Sequence, residues 1–234
     1  MGGRFATGVR SPWHPGPKGG SSPLPDRLTA TGIVLAGGRS TRFGADKLGV
    51  TVAGRSLLAH TVTALADVCR EIVVVLAPDG PEPVDFAPPL TLRLIRDPSA
   101  HPGPLVGLLA GLEIAAAPLV VLVGGDMPAL RPELLRCLLR MLVRSDADAV
   151  VPVRRGRPLP LPSALRLGAT LPVARHLIAS GERSLRGLFA SLRSVELPEA
   201  DWRPFDPDAR SFLDVDRPAD LARLRQLLGE TGDR

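Results

Sequence analysis

The stretch TGIVLAGGRSTRFGADK, residues 31–47, changes character halfway along. Thr31 to Gly37 is an apolar, β-branched run closed by glycines, which predicts a buried strand. Residues 38–47 form a loop of glycine, arginine and lysine. Lys47 stands out in it, because the chain has one other lysine, Lys18, and its remaining cationic side chains are arginine. A strand apolar on both faces that ends in a glycine-rich cationic loop fits a parallel sheet covered by helices on both sides.

The pattern continues outward from that strand. Ser56 can N-cap the segment 57–69, whose Leu57, Leu58, Val62, Leu65 and Val68 recur at helical spacing. Apolar runs at 71–77, 91–95, 118–126 and 147–153 predict further strands, and 194–198 a short one. Helices are expected at 104–117, 131–143, 166–180, 184–192 and 218–228. Pro132 suits the first turn of the second of these, where its missing N–H costs nothing. Strands alternating with helix-length segments give one α/β domain from 29 to 230. Residues 1–28 are rich in Gly, Pro and Ser without periodicity and read as a disordered extension.

Composition narrows the function. The chain has 234 residues, 44% of them hydrophobic, and a formal net charge of +5. Residues 1–28 carry Arg4, Arg10, Lys18 and Arg27 against Asp26, so the α/β part is close to neutral. With 3% aromatic residues and no tyrosine it offers few stacking platforms for bases, and no nucleic acid is expected as a partner. No apolar run is long enough to span a bilayer and no secretory h-region precedes the domain, so no membrane partner is expected and a cytoplasmic location is. Cys69 and Cys137 have no metal-ligand spacing and read as buried small hydrophobes in a reducing compartment.

In open α/β sheets ligands bind beyond the carboxyl ends of the strands. That rule selects three loops. In the first, LAGGRSTRFGADK, glycines let backbone N–H groups approach an anion, and Ser40, Arg42, Gly44 and Lys47 add hydroxyl, charge and flexibility. Neither GxxxxGK[ST] nor GxGxxG is present, which argues against a Walker A loop and a nicotinamide dehydrogenase. Lysine suits the loop because its ammonium is a compact charge on a flexible stem, able to follow a phosphoryl group, where arginine offers a planar fork. In the second loop Asp97 ends a strand, where its carboxylate can accept from a ribose or a base edge, and Gly103 can let a base lie on backbone; His101 reads as an exposed loop residue. In the third, GGDMPAL (124–130), Asp126 follows a buried strand and is placed either to hold a hard cation or to cap a turn. The segment RSFLDVDRPADL (210–221) adds Asp214 and Asp216; Asp216 reads equally as a metal contact or as N-cap of the last helix.

LAGGRSTRFGADK, HPGPLVGL, GGDMPAL, GERSLRGLF (181–189) and FLDVDRPADL occur in the order and approximate spacing of the molybdenum cofactor guanylyltransferase family, which the chain resembles over nearly all of 31–228. The resemblance implies a Rossmann-like three-layer α/β sandwich with a mostly parallel sheet, of the nucleotide-diphospho-sugar transferase-like kind. It implies transfer of GMP from GTP to the phosphate of Mo-molybdopterin, with magnesium, release of pyrophosphate and transient contact with other molybdenum cofactor proteins. Carried across, Leu35, Ala36, Gly37 and Gly38 would hold guanine and phosphates, and Arg42 and Lys47 the triphosphate. Asp97 and Gly103 would contact the nucleoside. Asp126 would bind Mg2+, with Asp214 and Asp216 beside the phosphates. The Leu-Ala-Gly-Gly form goes with guanine, whereas related cytidylyltransferases look like Leu-Ala-Ala-Gly. Three departures stand out. Phe43 replaces the usual Met, Asp214 and Asp216 stand where Asn is common, and RGRPLPLPSAL (155–165), expected near the pterin, lacks the Gln-Pro-Leu of many members. The rival expectations are a cytidylyl- or sugar-phosphate nucleotidyltransferase and a non-catalytic nucleotide-binding module.

Overall fold

A computed structural model describes residues 29–37, 50–80, 91–97 and 103–229. The elements run β1 (Ala30–Ala36), β2 (Thr51–Val52), β3 (Arg55–Ser56), α1 (Leu57–Ala66), β4 (Glu71–Leu76), β5 (Thr91–Arg96), α2 (Pro104–Ile114), β6 (Leu119–Gly124), α3 (Pro132–Arg144), β7 (Ala149–Arg154), β8 (Arg157–Pro158), β9 (Ser163–Arg166), α4 (Leu167–Ala179), α5 (Leu185–Ser191), β10 (Ser194–Leu197), α6 (Glu199–Trp202) and α7 (Pro218–Leu227). A short 3-10 turn, Arg210–Phe212, precedes α7. Gly38, Ser40, Arg42, Phe43, Gly44, Lys47, His101 and the extension 1–28 lie outside the described residues.

The sheet order is β10-β7-β9-β6-β1-β4-β5, with β8 paired to β7. The pairs β1–β4, β1–β6, β4–β5 and β7–β10 are parallel, whereas β9 lies antiparallel between β6 and β7. Side-chain alternation splits the central strands between two cores. Val34, Val74, Val121 and Val123 face α1, α3 and α6. Ile33, Val73, Val75, Val120 and Leu122 face α2, α4 and α5. The result is the three-layer, mostly parallel α/β sandwich expected from the apolar strands. A third cluster, Val52, Leu57, Ala129, Leu213, Val215 and Leu224, seats β2, the turn after β6 and α7 on one end.

Local signals explain most boundaries. Ser56 caps α1 and its hydroxyl accepts from Ala59 N at 3.0 Å. Pro104, Pro132 and Pro218 each sit in the first turn of a helix. The structure corrects three expectations. The helix from 104 ends at Ile114, three residues early, because Ala116 N and Ala117 N turn away to Glu71 and to Thr31 Oγ1. The helix expected from 166 starts at Leu167, because Arg166 closes an unexpected strand, Ser163–Arg166. Asp216 does not cap α7: the helix starts at Pro218, its N-cap is Arg217, and Asp220 reaches back to accept from Arg217 N at 2.8 Å and Asp216 N at 3.1 Å.

Candidate active site

The parallel strands end together on one edge, and Leu35, Ala36, Gly37, Asp97 and Asp126 lie at those ends. β1 delivers Leu35, Ala36 and Gly37. Gly125 N donates to Leu35 O at 2.9 Å, so the Gly124-Gly125-Asp126 turn is locked beside the end of β1. Within that turn, a Cβ on Gly124 would stand 2.6 Å from Asp126 Oδ1. The glycine therefore lets the half-buried carboxylate fold back over its own strand end. Met127 adds a contact from the other side, its sulfur accepting from Gly124 N at 3.3 Å. Asp126 O in turn accepts from Val215 N at 3.1 Å. Val215 is buried, while Asp214 and Asp216 on either side are exposed. The Asp126 turn and the 214–216 segment are thus adjacent strips of backbone carrying three carboxylates.

The second loop meets the first across α2. Asp97 N donates to Leu76 O at 2.9 Å, extending the sheet edge by one residue. A Cβ on Gly107 would lie 3.5 Å from Leu35 Cδ2 and 3.8 Å from Asp97 Oδ2. Leu35 and Asp97 therefore approach the same bare stretch of α2. Arg96, next door, donates to the carbonyls of Ala77, Pro78 and Gly80, at 2.7 Å for the last, and ties down the loop leaving β4.

Gly103 has a packing reason that the sequence did not show. A Cβ there would stand 2.7 Å from Arg183 Cβ and 2.9 Å from Arg183 O. The glycine makes room for the 181–184 loop, and Arg183 O accepts from Leu105 N at 3.1 Å in the first turn of α2. Glu182 holds that loop in shape, accepting from Arg183 N at 2.7 Å and Ser184 N at 2.8 Å. These backbone donors, Ser184 first, keep its carboxyl below the usual range. Gly187 is bare because the Glu182 carboxylate occupies the space of its side chain. The GERSLRG run is in this way a brace for the N-terminus of α2.

The structure also gives weight to residues the sequence did not single out. Asp206 is fully buried and accepts from Arg210 N at 3.1 Å and Ser211 N at 2.9 Å. Arg131, immediately after GGDMPAL, pairs with it at 3.3 Å. The signal available in sequence was only a carboxylate four and five residues before the donors of a tight turn.

The carboxylates on this edge are oxygen donors of the kind magnesium takes. Among the described residues no group of three or more His, Cys, Asp or Glu side chains is gathered for a metal. Magnesium does not need one: it takes one or two carboxylates and completes its shell with phosphate oxygens and water. Asp126 and the 214–216 segment beside it carry such carboxylates. No described helix is long and apolar enough to cross a membrane.

Comparison with known proteins agrees with this geometry. A probable molybdenum cofactor guanylyltransferase of Chloroflexus aggregans is 33% identical over 214 residues, 89% of this chain and 99% of that one. A molybdenum cofactor guanylyltransferase of Burkholderia ambifaria is 34% identical over 192 residues, 79% of this chain and 92% of that one. Among solved structures, the molybdopterin-guanine dinucleotide biosynthesis protein A of Archaeoglobus fulgidus superposes with a TM-score of 0.70 at 23% identity, covering 86% of this chain and all of that one. The 2-C-methyl-D-erythritol 4-phosphate cytidylyltransferase of Thermus thermophilus gives 0.63 at 22% identity, covering 86% and 98%. Both share the fold. Residues 32–196 match the family described as the MobA-like NTP transferase domain, and the chain belongs to that family.

Proposed function

We propose that this protein transfers GMP from GTP to the terminal phosphate of a molybdopterin, releasing pyrophosphate, as a nucleotidyltransferase of molybdenum cofactor synthesis. The observation that carries the reading is the meeting of Leu35, Asp97 and the Asp126 turn on one sheet edge, in a chain about a third identical to named guanylyltransferases over most of its length.

The step is an in-line displacement. An acceptor phosphate oxygen attacks the α-phosphorus of GTP, the bond from that phosphorus to the bridging oxygen breaks, and pyrophosphate leaves with the electron pair. No protein nucleophile is needed, and the chain contributes positioning and electrostatics. Leu35, Ala36 and Gly37 line the nucleotide at the end of β1, and Gly38 belongs to the same glycine motif in sequence. Asp97 accepts from the nucleoside beside the bare face of α2. Arg42 and Lys47 neutralise the triphosphate from the glycine loop. Asp126, with Asp214 or Asp216, holds Mg2+. When bound, magnesium neutralises phosphate charge and polarises the phosphoryl oxygens. A cytoplasmic setting and transient contact with other cofactor-assembly proteins belong to the same proposal.

The test is calorimetric binding of GTP, CTP, ATP and UTP with magnesium, and then pyrophosphate release in the presence of molybdopterin. Preference for GTP and GTP-dependent pyrophosphate release are expected. Preference for CTP would move the protein to a cytidylyl relative, and tight GTP binding without pyrophosphate release would make it a binding module.

A further inference from the structure

Two loops carry the three carboxylates of the candidate centre, and they belong to distant parts of the chain. One hydrogen bond joins them directly, Val215 N to Asp126 O at 3.1 Å. A second tie lies just behind it. Arg131 is the N-cap of α3, five residues after Asp126. Its backbone N–H donates to Ser211 Oγ at 2.9 Å, three residues before Asp214. Its guanidinium approaches Asp206 Oδ1 at 3.3 Å, and Asp206 also accepts the N–H groups of Arg210 and Ser211. Ala209, inside this turn, holds a left-handed φ of 52°, a conformation an alanine keeps only where the surroundings impose it.

A fully buried carboxylate is costly unless every lone pair is used. These contacts of Asp206 lead to the 206–211 turn or to Arg131, so the group fixes the turn onto the start of α3. The leash from Ser211 to Asp214 is too short to let the latter wander. We propose that Asp206, acting with Arg131 and Ser211, is a positioning residue for the reaction centre: it sets the spacing between Asp126 and the Asp214/Asp216 segment. This role rests on the magnesium–nucleotide reading of the site. Groups behind a metal's ligands typically contribute 10–100-fold to metal affinity or activity.

The experiment is calorimetry of GTP binding with Mn2+ as the metal probe and again in EDTA, at a temperature well below the melting point of every variant. The ratio of the two affinities isolates the metal's share. Asp206→Ala is expected to lower the ratio about tenfold while affinity in EDTA changes less than about twofold. Asp206→Asn, which keeps an acceptor but not the charge facing Arg131, should fall between. Ser211→Ala removes one neutral hydrogen bond and should lower the ratio about fivefold; it decides the matter if Asp206→Ala does not fold. A ratio unchanged in Ser211→Ala and the Asp206 variants would overturn the proposal, as would an equal fall with and without metal, the mark of general loosening. Asp126→Ala separates the two readings. If it loses the Mn2+ effect and the Asp206 and Ser211 variants do not, the metal reading stands and the positioning role is wrong. If Asp126→Ala keeps the Mn2+ effect, the metal reading fails and the proposal falls with it.

Discussion

Gly124 lacks a side chain because Asp126 folds into the space, its Oδ1 only 2.6 Å from where a Cβ would stand. Asp126→Ala and Lys47→Ala should each cut turnover by roughly a hundredfold or more, the loss seen when one preorganised charge-stabilising contact is removed. Steady-state pyrophosphate release measures it, and activity within a few-fold of wild type would sink the assigned roles. Gly124→Ala should cost at least about tenfold in the same assay, since even a 1 Å displacement of a reacting group can cost about a hundredfold. Carboxylates on the opposite edge of the sheet serve structure instead. Asp148 at the start of β7 is mostly buried and takes a bidentate pair from Arg193 at 2.9 and 2.7 Å. That pairing holds its carboxyl below the usual Asp range. A lowered folded value adds stability above the ordinary carboxylate range and loses it as pH falls through the folded value. Asp148→Asn should therefore melt roughly 2–4 °C lower near neutrality, the effect of about 1 kcal/mol in a domain of this size. The gap should close in acid, and calorimetric melts across pH would show it; a gap constant with pH would contradict the assignment.

At the scale of elements, what was legible depended on length. Long apolar strands and Ser- or Pro-started helices announced themselves, because burial on both faces and the needs of a first helical turn are local properties. The antiparallel strand Ser163–Arg166 did not. It is four residues long, comes after a proline-rich run, and gets its conformation from pairing with β6 and β7 rather than from its own pattern. The site behaved the same way. That Asp97 and Asp126 follow strand ends was readable, but the packing of Gly103 was not, since its partner Arg183 is 80 residues away. Asp206 was invisible for the same cause: its role lies in a contact with Arg131. The glycine gives a prediction about α2. Gly103→Ala must push the helix start away from the 181–184 loop, because backbone at 2.9 Å cannot yield as a flexible side chain would. On the proposed nucleoside role of α2, the KM for GTP should rise about tenfold with kcat changed much less. A fall in kcat with KM unchanged would exclude α2 from that role.

For the whole molecule, the two cores make a coupling between stability and function that the cysteines can report. Cys69 is 1% exposed in the core on the α1 and α3 side, and burial pushes its thiol up to about 12. Cys137 in α3 is raised to about 11, again chiefly by burial, but it borders a cleft shared with Leu197, Asp201 and Phe205. Only the thiolate reacts with alkylating agents, so neither cysteine should label in the closed protein. Cys69 sits in the sheet core and is expected to open with it, whereas Cys137 borders the cleft beside the 199–205 segment and is expected to open with a smaller displacement. A nucleotide bound at the carboxyl edge touches neither cysteine yet stabilises the folded state by mass action, about 2.7 kcal/mol at a hundred times its Kd. Magnesium and GTP at that level should therefore slow Cys69 alkylation about a hundredfold while slowing Cys137 far less. Mass-spectrometric labelling of both residues in one sample gives the comparison. Equal slowing would mean that α3 and the 199–205 segment open only with the whole domain, and no slowing of Cys69 would mean that the β1–β4 core opens without disturbing the nucleotide site.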